Sequence, residues 1–293
     1  MALPTELYQT EYASNLLHRY QQTKSRLMPF VQTEEFSGER KDYPRITPAS
    51  DPTNITAAAR GSATPYREAD FDKRWAYPAF FEETTHFAQW DEKLLGSISL
   101  PNSDVQKNHV SAFMRQFDKE VIIAALGSVQ TGKLGTTPVA LGAGQKIAAG
   151  GTGMSLAKLL TTLDILDAAD EDAADDGTLE KVFCWTVKQR NSMLNTVEVK
   201  SSDYNTVKAL AEGRMTSFMG FTFKLLQNAL PLAAGVRSCV AFRQGALRGI
   251  KCMKPSTITV RDDIRNALQI YDTGGMGFAR VHDEGVVQID CTE

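Results

Sequence analysis

The chain has 293 residues, 42% hydrophobic and 23% charged, with a formal net charge of −3. That balance fits a folded protein of one large or two small domains, and it excludes wholesale disorder or a collagen-like chain. Lysine and arginine are spread along the sequence instead of massed, which excludes the clustered basic surface of a counterion-releasing nucleic-acid binder.

The N-terminal MALPTELYQTEYASNLL has no basic start followed by an apolar run, so it does not read as a signal peptide. Residues 5–27 predict a polar amphipathic helix. Thr5 can cap it, Tyr8, Tyr12, Leu16 and Tyr20 recur at four-residue steps, and Pro29 stops it. A helix with a single apolar stripe must lie on its own domain or on a neighbouring subunit.

Between residues 34 and 100, Pro44, Pro48, Pro52, Pro65 and Pro78 break any long helix. The stretch Arg40 to Arg74 mixes Arg, Lys and Asp with Tyr and Thr around the small-residue segment DPTNITAAARGSATP, residues 51–65. Two extended arms joined by that tip predict a long hairpin. A hairpin alone is marginal in water and needs a partner surface, whereas a solvated loop of this length is uncommon without a function.

Residues 103–126 predict the longest helix. Ser103 and Gln106 fit a capping box, and Val105, Ala112, Phe113, Phe117, Val121 and Ala124 share one face. At ~1.5 Å per residue it exceeds ~30 Å, the length of a structural spine. A glycine-rich linker, 127–153, leads to a second helix over 155–169 with Leu156, Leu159, Leu160, Leu163 and Leu166 on one side. Strands are predicted at KVFCWTV (181–187), around Phe221 and Phe223, at RSCVAFR (237–243), and at the closing TITVRDD and GVVQIDC. No repeat and no regular βαβ rhythm occur, so the fold class is α+β.

Local motifs are near misses. Gly127 to Lys133 has the GxxxxGK spacing of a phosphate loop, but Leu134 stands where Ser or Thr must hold magnesium. VIIAAL before it reads as a helix end, whereas a phosphate loop follows a strand. The run GAGQKIAAGGTG, 142–153, fails the dinucleotide spacing. The acidic cluster Asp164, Asp167, Asp170, Glu171, Asp172, Asp175 and Asp176 does not keep calcium-loop register and reads as a solvated helix end. His18, His86, His109 and His282 form no HxxxH pair, and His109 reads as structural. Cys184, Cys239, Cys252 and Cys291 form no CxxC pair and suit a reducing cytoplasm. Cys184-Trp185 lacks the residues that precede a papain-type nucleophile, and GxSxG is absent. No catalytic residue, metal site or cofactor is therefore expected, and no apolar stretch nears the ~20 residues of a membrane span.

The order of parts resembles the major capsid protein of tailed bacteriophages. Four stretches carry the resemblance: LLHRYQQTKSRLMPFV; VSAFMRQFDKEVIIAALG; SSDYNTVKALAEGRMTSFMGFTFKLLQNALP; and VAFRQGALRGIK followed by YDTGGMGFARVHDEGVVQIDC, where Phe278-Ala279-Arg280 precedes an Asp-containing turn. The resemblance implies an N-terminal arm (1–33), an extended hairpin or E-loop (34–90), and a peripheral domain (91–149) with its spine helix (103–126). An axial domain (150–250) and a return to the peripheral domain (251–293) follow. It implies self-assembly as hexamers and pentamers into an icosahedral shell that encloses double-stranded DNA without reading its sequence. It also implies a portal partner, a separate scaffolding protein because Met1 leads directly into the arm, and a virion location after assembly in the host cytoplasm. Arg40, Lys41, Arg45, Arg67, Asp70, Asp72, Lys73 and Arg74 become candidate inter-subunit contacts. The alternatives are another virion structural protein, or a nucleotide-binding enzyme using the 127–133 loop.

Overall fold

A computed structural model describes residues 19–49, 66, 68–88, 90, 102–169, 179–195, 216–254 and 256–293. Its first four strands are β1 (Gln32–Glu35), β2 (Lys41–Ile46), β3 (Phe71–Ala76) and β4 (Ala79–Phe87). The spine helix α1 (Asn102–Leu126) follows, within one residue of the span its periodicity predicts. The glycine-rich segment holds three short strands, β5 (Val129–Thr131), β6 (Thr137–Val139) and β7 (Lys146–Ile147). Beyond it come α2 (Leu156–Ala169), β8 (Lys181–Trp185), α3 (Val187–Leu194), β9 (Ser217–Phe218), β10 (Phe221–Leu225) and β11 (Leu232–Ala233). The chain ends with β12 (Val236–Arg243), β13 (Leu247–Met253), β14 (Thr257–Arg261), β15 (Ala267–Arg280) and β16 (Val286–Thr292).

These strands make three sheets among the described residues. One runs β7-β16-β12-β8-β10-β9, with β11 added on β12. Its centre is the run Val182-Phe183-Cys184-Trp185, buried as a continuous apolar strand should be. Trp185 stacks on Phe223 with centroids 4.1 Å apart, and Phe183 meets Phe221 edge-on at 5.8 Å. The second sheet is built on β15, 14 residues long, which pairs with β4 on one side and with β13 and β14 on the other. Helix α1 packs on β15, where Phe117 meets Phe278 edge-on at 4.8 Å. The third sheet, β2-β3-β5-β6, carries the predicted hairpin. Strands β12 and β13, and likewise β15 and β16, pass from one large sheet to the other through short turns, so a single hydrophobic core spans both.

His109 is structural, as its place on the spine suggests. It is 2% exposed; its Nδ1 lies 2.7 Å from Asp272 and its Nε2 2.8 Å from Thr85 Oγ1, so the ring ties α1 to β15 and β4 together.

Three expectations need correction or restriction. Of the predicted helix 5–27, residues 1–18 lie outside the described residues, and 19–27 form no helix. Tertiary bonding overrides the periodicity there, because Asp118, buried in mid-spine, collects the segment. Its carboxylate accepts from Ser25 Oγ at 2.6 Å, Gln22 Nε2 at 2.5 Å, and the amides of Arg26 and Leu27 at 3.1 Å each. A 3₁₀ turn, Met28–Phe30, then carries Pro29. Second, the strand expected over 181–187 stops at Trp185. Thr186 instead N-caps α3, its hydroxyl accepting from the Gln189 amide. Third, Asp167 in the acidic cluster is no merely solvated residue, since it pairs with Lys181 at 2.5 Å and Arg243 at 2.8 Å. Residues 170–178 lie outside the described set.

Asp118→Ala should lower subunit stability by about 2–4 kcal/mol, because two amides and a hydroxyl lose a charged acceptor in a buried place. Urea unfolding of the unassembled subunit measures it. A loss below about 0.5 kcal/mol, the range of an ordinary surface substitution, would contradict the anchoring role.

Candidate assembly surface

Strand pairing decides what the hairpin's charges can do. In the antiparallel ladder Lys41 faces Ala76, Tyr43 faces Arg74 and Arg45 faces Asp72, while Asp42 faces Trp75, Pro44 faces Lys73 and Ile46 faces Phe71. Directly opposed residues share a face, so alternate pairs point to opposite sides. Tyr43 (5% exposed), Arg74 (3%) and Ala76 (0%) mark the face turned onto the subunit. The outward face is Asp42, Pro44, Ile46, Phe71, Lys73 and Trp75.

The inward charges are engaged within the subunit. Arg45 places Nη2 3.0 Å from Asp72 Oδ2 and donates Nη1 to the carbonyl of Val281 at 3.0 Å. Burial opposes ionisation of Asp72, but the Lys73 amide and the Arg45 guanidinium outweigh it and hold its carboxyl below the usual range. Arg74 donates to Asp283 at 2.6 Å, and Lys41 pairs with Glu34. Burial pushes the Tyr43 hydroxyl up to about 12, so it stays neutral.

Asp283 also accepts from Arg280, at 2.5 Å. Arg280 is 0% exposed and donates to the carbonyls of Ala125 (2.9 Å), Gly127 (2.8 Å) and Val139 (3.2 Å). A cation at the C-terminal end of the spine also meets the negative end of its dipole. Hairpin, spine and long strand thus share one buried polar junction.

The glycine loop after the spine forms the hairpin's seat. Trp75 Nε1 donates to Gly132 O at 2.7 Å, Tyr77 Oη to Gly135 O at 3.0 Å, and Arg40 Nη1 to Leu134 O at 2.7 Å. The Arg40 guanidinium also lies over the Trp75 ring, 4.4 Å from its centroid. Gly135 has φ +67°, and a Cβ there would stand 2.7 Å from Tyr77 Oη and 3.0 Å from the Trp75 ring. This helix–turn–strand order is the reverse of a phosphate loop, whose glycines join a strand to a helix.

On the outward face Lys73 bonds Asp42 at 2.6 Å and holds its carboxyl below the usual range. Asp70, at the strand entry, is exposed and lies near Thr47 Oγ1 at 3.4 Å. Arg67 lies outside the described residues. Charge inventory alone missed the outward apolar pair, Ile46 at 59% and Phe71 at 72% exposed. The alternation of KDYPRI carries that signal once its register is known.

The family model for phage capsid proteins matches residues 4–293. The chain belongs to that family. No curated protein matches the capsid chain by sequence. Solved capsids resemble it over almost its whole length. The capsid of Ralstonia phage GP4 covers 99% of this chain and 97% of its own at TM-score 0.69 and 13% identity. The capsid of a native GTA particle covers 99% and 97% at TM-score 0.70 and 15% identity. A structure from Mycobacterium phage Che8 covers 97% of each chain at TM-score 0.65 and 15% identity. These likenesses establish the fold, and the family match makes the chain a major capsid protein, a shell-forming structural subunit found in the virion.

Proposed function

We propose that this capsid subunit closes its shell by laying the outward face of its β2–β3 hairpin on a neighbouring subunit. The observation that carries the reading is the exposed Ile46–Phe71 pair beside Lys73. Two large apolar side chains opposed on a projecting strand pair are poorly placed in water and well placed in an interface. Asp70, Lys73 and Arg40 are the candidate contacts that border this face; Lys41, Arg45, Asp72 and Arg74 act by holding the hairpin at its angle. Exposed ion pairs contribute only about 0–1 kcal/mol each, so apolar contact repeated around closed rings stabilises the shell more than they do.

In this reading the arm is 1–33, the E-loop 34–90, the peripheral domain 91–149, the axial domain 150–250 and the returning segment 251–293. The pairing of β4 with β15 and of β16 with β12 knits these parts together. Hexamers and pentamers build an icosahedral shell around double-stranded DNA, with a portal and a separate scaffolding protein, in the host cytoplasm. The subunit does no chemistry of its own.

Negative-stain microscopy of the expressed chain tests this reading. The unsubstituted chain is expected to give shells, and Phe71→Glu is expected to reduce them about tenfold or more while leaving subunit melting unchanged. Undiminished shells from Phe71→Glu would overturn the role given to this face.

A further inference from the structure

The charges of the hairpin are answered within the subunit: Lys41 by Glu34, Arg45 by Asp72 and Lys73 by Asp42. Another face carries charges that are not. Residues 22–30 run between α1 and β10. The amides of Arg26 and Leu27 sit on Asp118 of α1 at 3.1 Å each, and the Arg26 guanidinium donates to the carbonyl of Leu225 in β10. The Lys224 ammonium lies over the Phe30 ring, 4.8 Å from its centroid. Arg115 donates to Gln21 Oε1 at 2.9 Å and to the carbonyl of Gln22 at 3.1 Å. Lys119 follows one turn along the same side of the spine, and both it and Lys24 are exposed. Folding thus gathers Lys24, Arg26, Arg115, Lys119 and Lys224 from three parts of the chain onto one face, a cluster that their spread along the sequence hides. Arg26 and Arg115 bond neutral oxygens, and among the described residues none of the five has an ion-pair partner. Two carboxylates lie on this stretch of α1. Asp118 is 1% exposed and taken up by the segment it holds, and Glu120 accepts from Gln116 at 2.8 Å. Five cations against these two leave the face positive, on a chain whose formal net charge is −3.

We propose that this face is the surface on which the subunit bears against packaged double-stranded DNA, through the phosphate backbone and without reading sequence. The inference rests on the shell-subunit reading and names the part of the chain that meets the contents. Unpaired like charges held close together repel one another in the free subunit. A polyanion relieves that repulsion, and its condensed counterions are released as it binds. Arg26 and Arg115 spend donors on backbone and amide oxygens, so the charge left free is chiefly that of lysines. A lysine ammonium is a point charge that meets a phosphate from many directions, whereas a protein carboxylate is best met by a free guanidinium fork. The spine also gives the charges a straight track. Arg115 and Lys119 are one turn apart, about 6 Å, close to two phosphate steps of ~3.4 Å along one DNA strand. A closed shell touches its DNA only from within, so the proposal turns this face to the lumen.

The test is fluorescence anisotropy of a random-sequence DNA duplex titrated with the unassembled full-length subunit over a series of salt concentrations. The logarithm of affinity is expected to fall against the logarithm of salt with a slope of about −4, close to one counterion for each of the five cations. Lys24→Gln, Lys119→Gln and Lys224→Gln combined leave the bonds of Arg26 and Arg115 in place. That variant should bring the slope to about −1 to −2 and weaken low-salt binding about tenfold or more, with subunit melting unchanged. A charge-matched control, Lys133→Gln, Lys146→Gln and Lys254→Gln combined, changes exposed lysines elsewhere and should keep the slope near about −4. If the first combination melts early, Lys119→Gln alone should still flatten the slope by about 1. Closed shells of unsubstituted chain should leave added duplex unbound. A slope shallower than about −1 for the unsubstituted subunit would overturn the proposal. So would an equal effect of the two combined variants, tighter binding of poly-glutamate than of duplex, or binding of duplex to the outside of closed shells. A subunit that binds duplex in this way but builds no shell would strike the shell reading, whereas shells built from a subunit that does not bind would strike this inference alone.

Discussion

Replacing Arg280 with methionine is expected to reduce the unfolding free energy of the subunit by about 3–5 kcal/mol. The side chain is wholly buried and donates to three backbone carbonyls and to Asp283. Methionine fills much of the same volume, so the loss isolates the bonds from the packing. Three backbone carbonyls lose their donor, that of Ala125 in a buried place, and among the described residues Asp283 keeps Arg74 as its ion-pair partner. Lysine is expected to recover less than half, since an ammonium is a point donor and cannot span the spread from Ala125 to Val139 as a guanidinium fork does. Urea unfolding of the unassembled subunit, with the slope checked for constancy, measures both variants. A loss below about 1 kcal/mol for Arg280→Met, the net worth of one ordinary hydrogen bond, would mean that the junction is not the clamp its geometry describes.

The junction also predicts coupling. Arg74 on the hairpin and Arg280 on the long strand share Asp283 through its two oxygens, at 2.6 and 2.5 Å. Their substitutions should therefore be non-additive, whereas residues without a shared partner add. The spine's C-terminus and the hairpin's angle are set by the same carboxylate, so a defect at Arg280 should reach the hairpin, far earlier in the chain.

That separation explains what the sequence showed and what it hid. The spine was legible because its apolar period is sustained over many turns, and local periodicity is what sequence displays best. The hairpin was legible because prolines forbid a helix and its two arms are extended and polar around a small-residue tip. The inward or outward sense of each charge was not legible. Arg74 looks like a surface residue until Asp283 arrives from the β15–β16 turn. Tyr43 and Trp75 are both amphipathic, so the alternation that would assign faces is blurred at the informative positions. The helix expected over 5–27 does not form over 19–27 for the same reason, because Asp118 captures the amides of Arg26 and Leu27 from 92 and 91 residues away. Helix α3, VKQRNSML, has little apolar period; it forms on the Thr186 cap and on burial of Gln189 and Met193. The apparent phosphate loop came from Gly127, whose amide still bonds Ile123 O at 2.8 Å at the end of the spine, and from Gly132, a turn glycine at φ +81°.

Removing residues 50–66 is expected to leave a folded subunit that builds no shells. The β2–β3 ladder is complete without the tip, and Thr47 N already bonds Asp70 O at 2.9 Å beyond the last strand pair. Residues 47–49 and 67–70 remain to close the turn, and shortening a surface loop changes closure entropy by only about 0.6 kcal/mol per halving. Among the described residues the hairpin's attachments lie below the cut: Arg45 to Asp72 and Val281, Arg74 to Asp283, Trp75 and Tyr77 to the glycine turn. Subunit melting should therefore stay close to that of the full chain. On the proposed reading the deletion removes contact with a neighbour, and a shell multiplies that loss at every ring. Sedimentation velocity and negative-stain microscopy on the same preparation separate the two consequences. A melted subunit would show that the tip serves folding, and particles of normal size and number would show that the hairpin tip is dispensable for closure.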